Sequence, residues 1–213
     1  MAGKRGAGMR KSGAGDPDGI VFRPATPSRW MDIERLFGER GACGGCWCMA
    51  WRLPRKEWEA GKGAGNRKRL RTLIRMNGRP GVIAYHGREP VGWCAVAPRR
   101  DYPALARSRV LKPVDDSPVW SVSCLFVLRP WRRQGLSAAL LSAAAAHAAS
   151  RGARIVEGYP VIPYSKEAPG AFLWTGTPGA FERAGFREVH RWSKARPIVR
   201  LEVRRPTPSS HRS

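Results

Sequence analysis

The sequence predicts an α+β or α/β protein built on one central sheet, and three observations carry that prediction. Strand-like and helix-like segments are interleaved along the whole chain. Two apolar runs, GVIAYHG and VGWCAVAP, flank Gly87-Arg88-Glu89-Pro90 as the arms of an antiparallel hairpin would. A third apolar run, SVSCLFVL, leads through a glycine turn into the long alanine-rich segment LSAALLSAAAAHAAS. With 213 residues, 42% of them hydrophobic and nine of them Trp, the chain can build one packed domain.

The elements follow in order. Ile20–Arg23 reads as a short strand. Thr26 is placed to cap a helix with Pro27 at its first position, and Trp30, Ile33, Leu36 and Phe37 recur at helical spacing. Gly41–Gly45 breaks the chain before CWCMAWRL. Trp58 falls on a short helix after Pro54, and Asn66 is placed to cap the next, with Leu70, Leu73, Ile74 and Met76 on its apolar side. After the hairpin, Asp101–Arg109 reads as a short irregular helix and Val119–Leu128 as a long strand. Gly135–Arg151 is a helix ended by Gly152, and Arg154–Tyr159 is the fifth strand. Pro178–Ala184 is a helix closed by Gly185. Phe186–Trp192 and Ile198–Val203 are two last strands joined through Arg196-Pro197. The expected domain is 20–205. Residues 1–19, rich in Gly, Lys and Arg, and residues 206–213 cannot build a core and are expected to be loose tails.

Net charge is +23, with 31 Arg and 8 Lys, so the surface attracts anions such as nucleic acid, phosphorylated ligands or acidic lipid. No stretch is apolar enough to span a membrane, and the N-terminus lacks the apolar region of a secretory signal, so a cytoplasmic protein is expected. An odd count of five cysteines fits reduced thiols. Cys43, Cys46 and Cys48 have spacing compatible with three metal ligands, but no fourth is near, and no metal site is expected. Arg67, Lys68, Arg69, Arg71 and Arg75 form a basic helix face, either solvated or able to track phosphates.

The chemistry concentrates at the turn Arg129–Gly135 between strand and long helix. The first N–H groups of a helix have no partner within it, and the helix dipole adds partial positive charge there. Such a turn is an anion cradle, approached closely at Gly135 and reinforced by Arg129, Arg132 and Arg133. The stretch Arg132-Arg133-Gln134-Gly135-Leu136-Ser137 resembles motif A of the GNAT superfamily of N-acetyltransferases, Arg/Gln-x-x-Gly-x-Gly/Ala after the fourth strand, with Ser137 replacing the last small residue. Ala180-Phe181-Glu182-Arg183-Ala184-Gly185-Phe186 is similar to the family's closing Phe-Tyr-x-x-x-Gly-Phe. The likeness extends over about residues 20–204 and is strongest over 119–190.

The resemblance implies a three-layer α/β arrangement, formally α+β. Its mixed central sheet splays the fourth and fifth strands and carries helices on both faces. It also implies an acyl-CoA-dependent enzyme that moves an acetyl group from acetyl-CoA to an amine-bearing small molecule or protein. Leu125 and Val127 would contact pantetheine, and N–H groups near Leu125 and Phe126 would face the thioester oxyanion. Arg132, Arg133, Gln134, Gly135, Leu136 and Ser137 would hold the pyrophosphate. Arg129 is either a partner of the 3′-phosphate or a solvated side chain. The tyrosine that protonates the departing thiolate in many relatives corresponds here to Phe181, which has no proton to give. Tyr159 is the nearest substitute, or else an aromatic of core or rim. Glu157 is the candidate general base, acting through water, or else a solvent-facing strand residue. Strand alternation sends one of Ser123 and Cys124 to the cleft. Trp47 and Cys48 either line an acceptor pocket or belong to the core, as do Trp51 and Trp58. A nucleic-acid-associated protein and an acyl-CoA sensor without turnover are the competing readings. No membrane partner is expected, and a homodimer is compatible with the sequence.

Overall fold

The computed structural model describes residues 19–163 and 173–204. The two segments expected to be tails lie, apart from Gly19, outside the described residues. Seven strands form one sheet: β1 (Ile20–Pro24), β2 (Gly81–His86), β3 (Glu89–Pro98), β4 (Trp120–Val127), β5 (Ile155–Gly158), β6 (Arg187–Ser193) and β7 (Arg196–Glu202), in the order β1-β2-β3-β4-β5-β7-β6. Every neighbouring pair is antiparallel except β4 and β5. A parallel pair needs a crossover, supplied here by the helix α5 (Leu136–Ser150).

Helices cover both faces, as expected. On one face Leu140, Leu141, Ala144 and Ala148 of α5 are fully buried against β2, β3 and β4, the alanines letting the helix lie close to the strands. On the other, α1 (Trp30–Phe37) and α3 (Ala64–Arg75) contribute Ile33, Phe37, Leu70 and Ile74 to a second core with Trp47 and Trp93. A smaller cluster around Tyr102, Leu105 and Tyr159 closes the start of β4 and includes the short α4 (Pro103–Ala106). Among the described residues no helix is long and apolar enough to cross a membrane.

The sheet is continuous only in its lower half. β4 pairs with β5 at Trp120–Val156, Ser121–Glu157 and Val122–Gly158, and there the pairing ends while β4 runs on to Val127. The β3 register shifts at the same level, Val96 facing Val122 and Ala95 facing Cys124, so Ser123 is an extra residue in β4. This bulge turns Leu125 and Val127 toward α5 and Cys124 and Phe126 toward α1. The splay expected between the fourth and fifth strands thus begins at a bulge.

Four expectations change in detail. Asn66 does not cap α3, which starts at Ala64 behind Gly63; it lies inside the helix, fully buried, with its amide donating to the carbonyls of Trp58 (3.1 Å) and Gly45 (3.4 Å). Thr26 precedes a 3-10 turn over Pro27–Arg29, and its hydroxyl contacts Ser28 and Arg29 in place of a cap. The segment after β3 splits into a 3-10 turn, Arg99–Asp101, and α4. Arg196 and Pro197 belong to β7, paired with Ser193 and Arg191, and do not link the strands.

Candidate active site

Gly135 sits in the left-handed region (φ 81°) and immediately precedes α5, a conformation that favours glycine. A Cβ there would meet open space. Arg133 is also left-handed (φ 63°). These reversals line up successive amides: among the described residues, the N–H groups of Arg133, Gln134, Gly135, Leu136 and Ser137 make no backbone hydrogen bond. The next two, Ala138 and Ala139, both donate to the Gly135 carbonyl and close the run. Five free donors beside the positive end of a fifteen-residue helix form a site for an anion. The side chains brace this turn: Arg132 Nε donates to the Val127 carbonyl (2.9 Å) and Gln134 to the Pro130 carbonyl (2.7 Å).

From this turn a cavity of about 420 Å³ runs along the free edge of β4, lined by Leu125, Phe126, Val127, Arg132, Ser137 and, opposite, Leu173, Trp174, Gly176, Thr177 and Ala180. The Leu125 N–H points into the gap and donates to the Trp174 carbonyl at 2.6 Å. Successive amides of a strand point to opposite edges, so Phe126 directs its own toward β3. Of the two amides expected at the thioester, only that of Leu125 opens on the gap. The Trp174 ring packs against Trp51 in a tilted arrangement, with centroids 5.6 Å apart.

A second cavity of about 260 Å³ adjoins the first across Leu125 and Phe126, sharing Cys43 and Trp174 as walls. Cys46, Cys48, Cys124, Trp58 and Lys62 complete it. Cys124 is therefore the member of its pair that reaches the cleft; Ser123 lies beside the Tyr102 ring system. Contact with the Cys124 thiol, then burial, holds the Cys48 thiol well above its ordinary range, and burial raises Cys46. Both are neutral at physiological pH. Among the described residues no three His, Cys, Asp or Glu side chains converge as metal ligands. Trp47 is core, stacked on Trp30 at 6.0 Å, whereas Trp58 and Cys48 line the cavity.

Glu157 and Tyr159 line neither cavity. Glu157 is neither solvent-facing nor open to the cleft: it is 0% exposed, its Oε1 accepting from Arg99 (2.8 Å) and Tyr159 (2.7 Å) and its Oε2 from Arg200 (2.8 Å). Tyr159 is bonded to Ser121 (2.7 Å) and Arg99 (2.6 Å) as well, and burial followed by the Glu157 charge pushes its hydroxyl far above its usual pKa. Asp115 completes the chain through Arg200, which with the Ser117 N–H holds its carboxyl well below the usual range. Both carboxylate oxygens of Glu157 are bound to cations, and neither Glu157 nor Tyr159 lines the cavities that meet at Leu125. Phe181 is fully buried under Gly158, where an added Cβ would collide with its ring. Trp174 and the ion network went unnoticed in the sequence. Only Thr177-Pro178 at the start of the last helix, α6 (Pro178–Arg183), hinted that the chain turns here.

Residues 47–161 match the family described as the acetyltransferase (GNAT) family. Among solved structures, an acetyltransferase of Listeria monocytogenes aligns over 86% of this chain and 95% of its own at 10% identity, with a TM-score of 0.51. One of Streptococcus agalactiae aligns over 87% and 96% at 14% identity, with a TM-score of 0.50. The Salmonella typhimurium protein yncA, solved with its cofactor acetyl-CoA, aligns over 90% and 99% at 11% identity, also at 0.50. At these identities the likeness is one of fold. Among curated proteins no sequence matches this one.

Proposed function

This chain belongs to the GNAT acetyltransferase family, and from that premise we propose that it transfers an acetyl group from acetyl-CoA to an amine by direct attack on the thioester. The observation that carries the proposal is the run of five unpaired amides, Arg133 to Ser137, at the end of a gap that β5 leaves along β4. The amides and the Arg132 and Arg133 charges hold the pyrophosphate, with Gly135 keeping the approach open. The edge of β4 from Leu125 to Val127 receives the pantetheine arm in the gap. Arg132 already occupies the Val127 carbonyl, so Leu125 offers the main-chain contact once Trp174 withdraws.

The Trp174 carbonyl oxygen, 2.6 Å from the Leu125 nitrogen, marks the position an acyl oxygen would take once Trp174 withdraws. In the reaction the amine nitrogen bonds to the acyl carbon, the carbon–sulfur bond breaks, and the Leu125 N–H stabilises the oxyanion between the two. One proton leaves the nitrogen and one reaches the thiolate. A thiol of pKa about 8.5 is a good enough leaving group for water to supply that proton. Glu157 and Tyr159 act as positioning residues. Tied to Arg99 on one side and Arg200 on the other, they fix the height at which β5 parts from β4.

Calorimetry with CoA and acetyl-CoA, followed by thiol release over a panel of amines, tests this reading. Binding and release are expected together, and both are expected to fall sharply, by about 10- to 100-fold, in Gly135→Glu. Binding without release would favour a sensor. Salt-dependent RNA binding with no affinity for CoA would favour the nucleic-acid reading, which the structure weakens: Arg67 and Arg69 on α3 are paired with Glu34 and Glu57, and Arg71 lies over Trp30.

A further inference from the structure

The cavity on the α1 side of β4 defines what kind of amine can reach the thioester. It is small, about 260 Å³. At roughly 30 Å³ per water-sized atom that is room for about nine heavy atoms. Phe126, Trp58 and Trp174 give it aromatic walls, Cys46 and Cys48 add uncharged thiols, and Cys124 adds a third sulfur. Neutral thiols behave as small hydrophobes, so the interior suits an apolar body. Among the described residues no Asp or Glu lines it. The one charged group on its rim is Lys62, exposed, with its ammonium 4.6 Å above the Trp58 ring. Lys62 has no ion-pair partner among the described residues, and the neighbouring carboxylate Glu59 is held by Arg55 at 2.9 Å.

Three consequences follow from this cation. A polyamine or an aminoglycoside would bring a second ammonium against Lys62, and among the described residues no carboxylate lines the cavity to receive it. An acceptor carrying its own carboxylate would pair with Lys62 at the rim while its apolar part fills the pocket. The same cation favours the unprotonated form of the incoming amine, the form that attacks.

The geometry points to an α-amino acid with a branched aliphatic or aromatic side chain as the acceptor class: carboxylate on Lys62, side chain among Trp58, Phe126 and the thiols, amine toward Leu125. This rests on the acyl-transfer reading above. The test uses the full chain with acetyl-CoA and compares leucine and phenylalanine with their decarboxylated amines, and with spermidine and an aminoglycoside. The amino acids are expected to show kcat/KM at least about tenfold above the decarboxylated amines, with the polycations slowest. In Lys62→Met that preference is expected to collapse toward unity through a raised KM for the amino acids, with the affinity for CoA retained. Equal rates for amino acid and decarboxylated amine in the unaltered protein would overturn the inference. So would release confined to a polycation, no release with any of them despite CoA binding, or a preference that survives Lys62→Met. A failure of acetyl-CoA to bind in calorimetry is a separate result, and it would remove the acyl-transfer reading itself.

Discussion

At Gly135 one missing side chain serves two ends. The left-handed backbone orients the amides, and the open space above the residue lets an anion reach them. Gly135→Glu is expected to weaken CoA binding by about 10- to 100-fold, the loss of one or two charge-assisted hydrogen bonds plus like-charge repulsion. The fold should persist, since a Cβ meets nothing and the backbone cost is about 1–2 kcal/mol; titration calorimetry beside a thermal melt separates the two effects. Glu157 behaves in the opposite way. Its side chain is 0% exposed while Arg99 and Arg200 are 14% and 11% exposed, so Glu157→Gln leaves shielded Arg99 unmatched and Arg200 with Asp115 alone. We expect a loss of about 3–5 kcal/mol in chemical denaturation. The pH profile of the remaining activity should keep its shape, whereas a lost acidic limb would restore Glu157 as the base. The cradle was legible in the sequence because its parts are consecutive, Arg132 to Ser137. The ion network was not, because Glu157 meets partners 58 and 43 residues away, and Arg200 meets Asp115 across 85. Nothing local marks such pairs.

Among the elements, β4 and α5 were readable from their patterning to within a residue or two, since one is a continuous apolar run and the other nearly all alanine and leucine. The bulge at Ser123 was not readable, because it consists of a register shift between two strands and leaves no trace in either alone. Asn66 misled for a related reason: a residue type favoured at helix starts was used inside one, to satisfy the Trp58 and Gly45 carbonyls. Near its end α5 carries His147, half-buried against the Arg79 carbonyl at 3.2 Å. Burial is the main cause that lowers its pKa below the ordinary 6.5, helped by Arg151 and Arg79. The unfolded chain therefore takes up that proton more readily than the folded one. Stability from this group is complete above about pH 6.5 and is lost as pH falls through that value toward the folded pKa. Melting curves between pH 7.5 and 5.5 are expected to decline, and His147→Gln to flatten the decline.

For the whole molecule the net charge of +23 sets how ligands arrive. An anionic cosubstrate is drawn in by the entire surface before it meets the cradle, so its association rate should fall several-fold between about 0.05 and 0.5 M salt, with dissociation much less affected; stopped-flow mixing reads both. The bulk charge was plain from composition, yet its distribution was not, and the structure spends several arginines on local carboxylates. One contact shapes arrival further. Trp174 already satisfies the Leu125 amide, so under the proposed reaction an arriving cosubstrate would compete with it for that donor. Occupancy must wait on a spontaneous release, so the observed binding rate should level off at high cosubstrate concentration instead of rising without limit. A chain in which that tryptophan's ring lost its packing partner, Trp51→Ala, would be quicker to load.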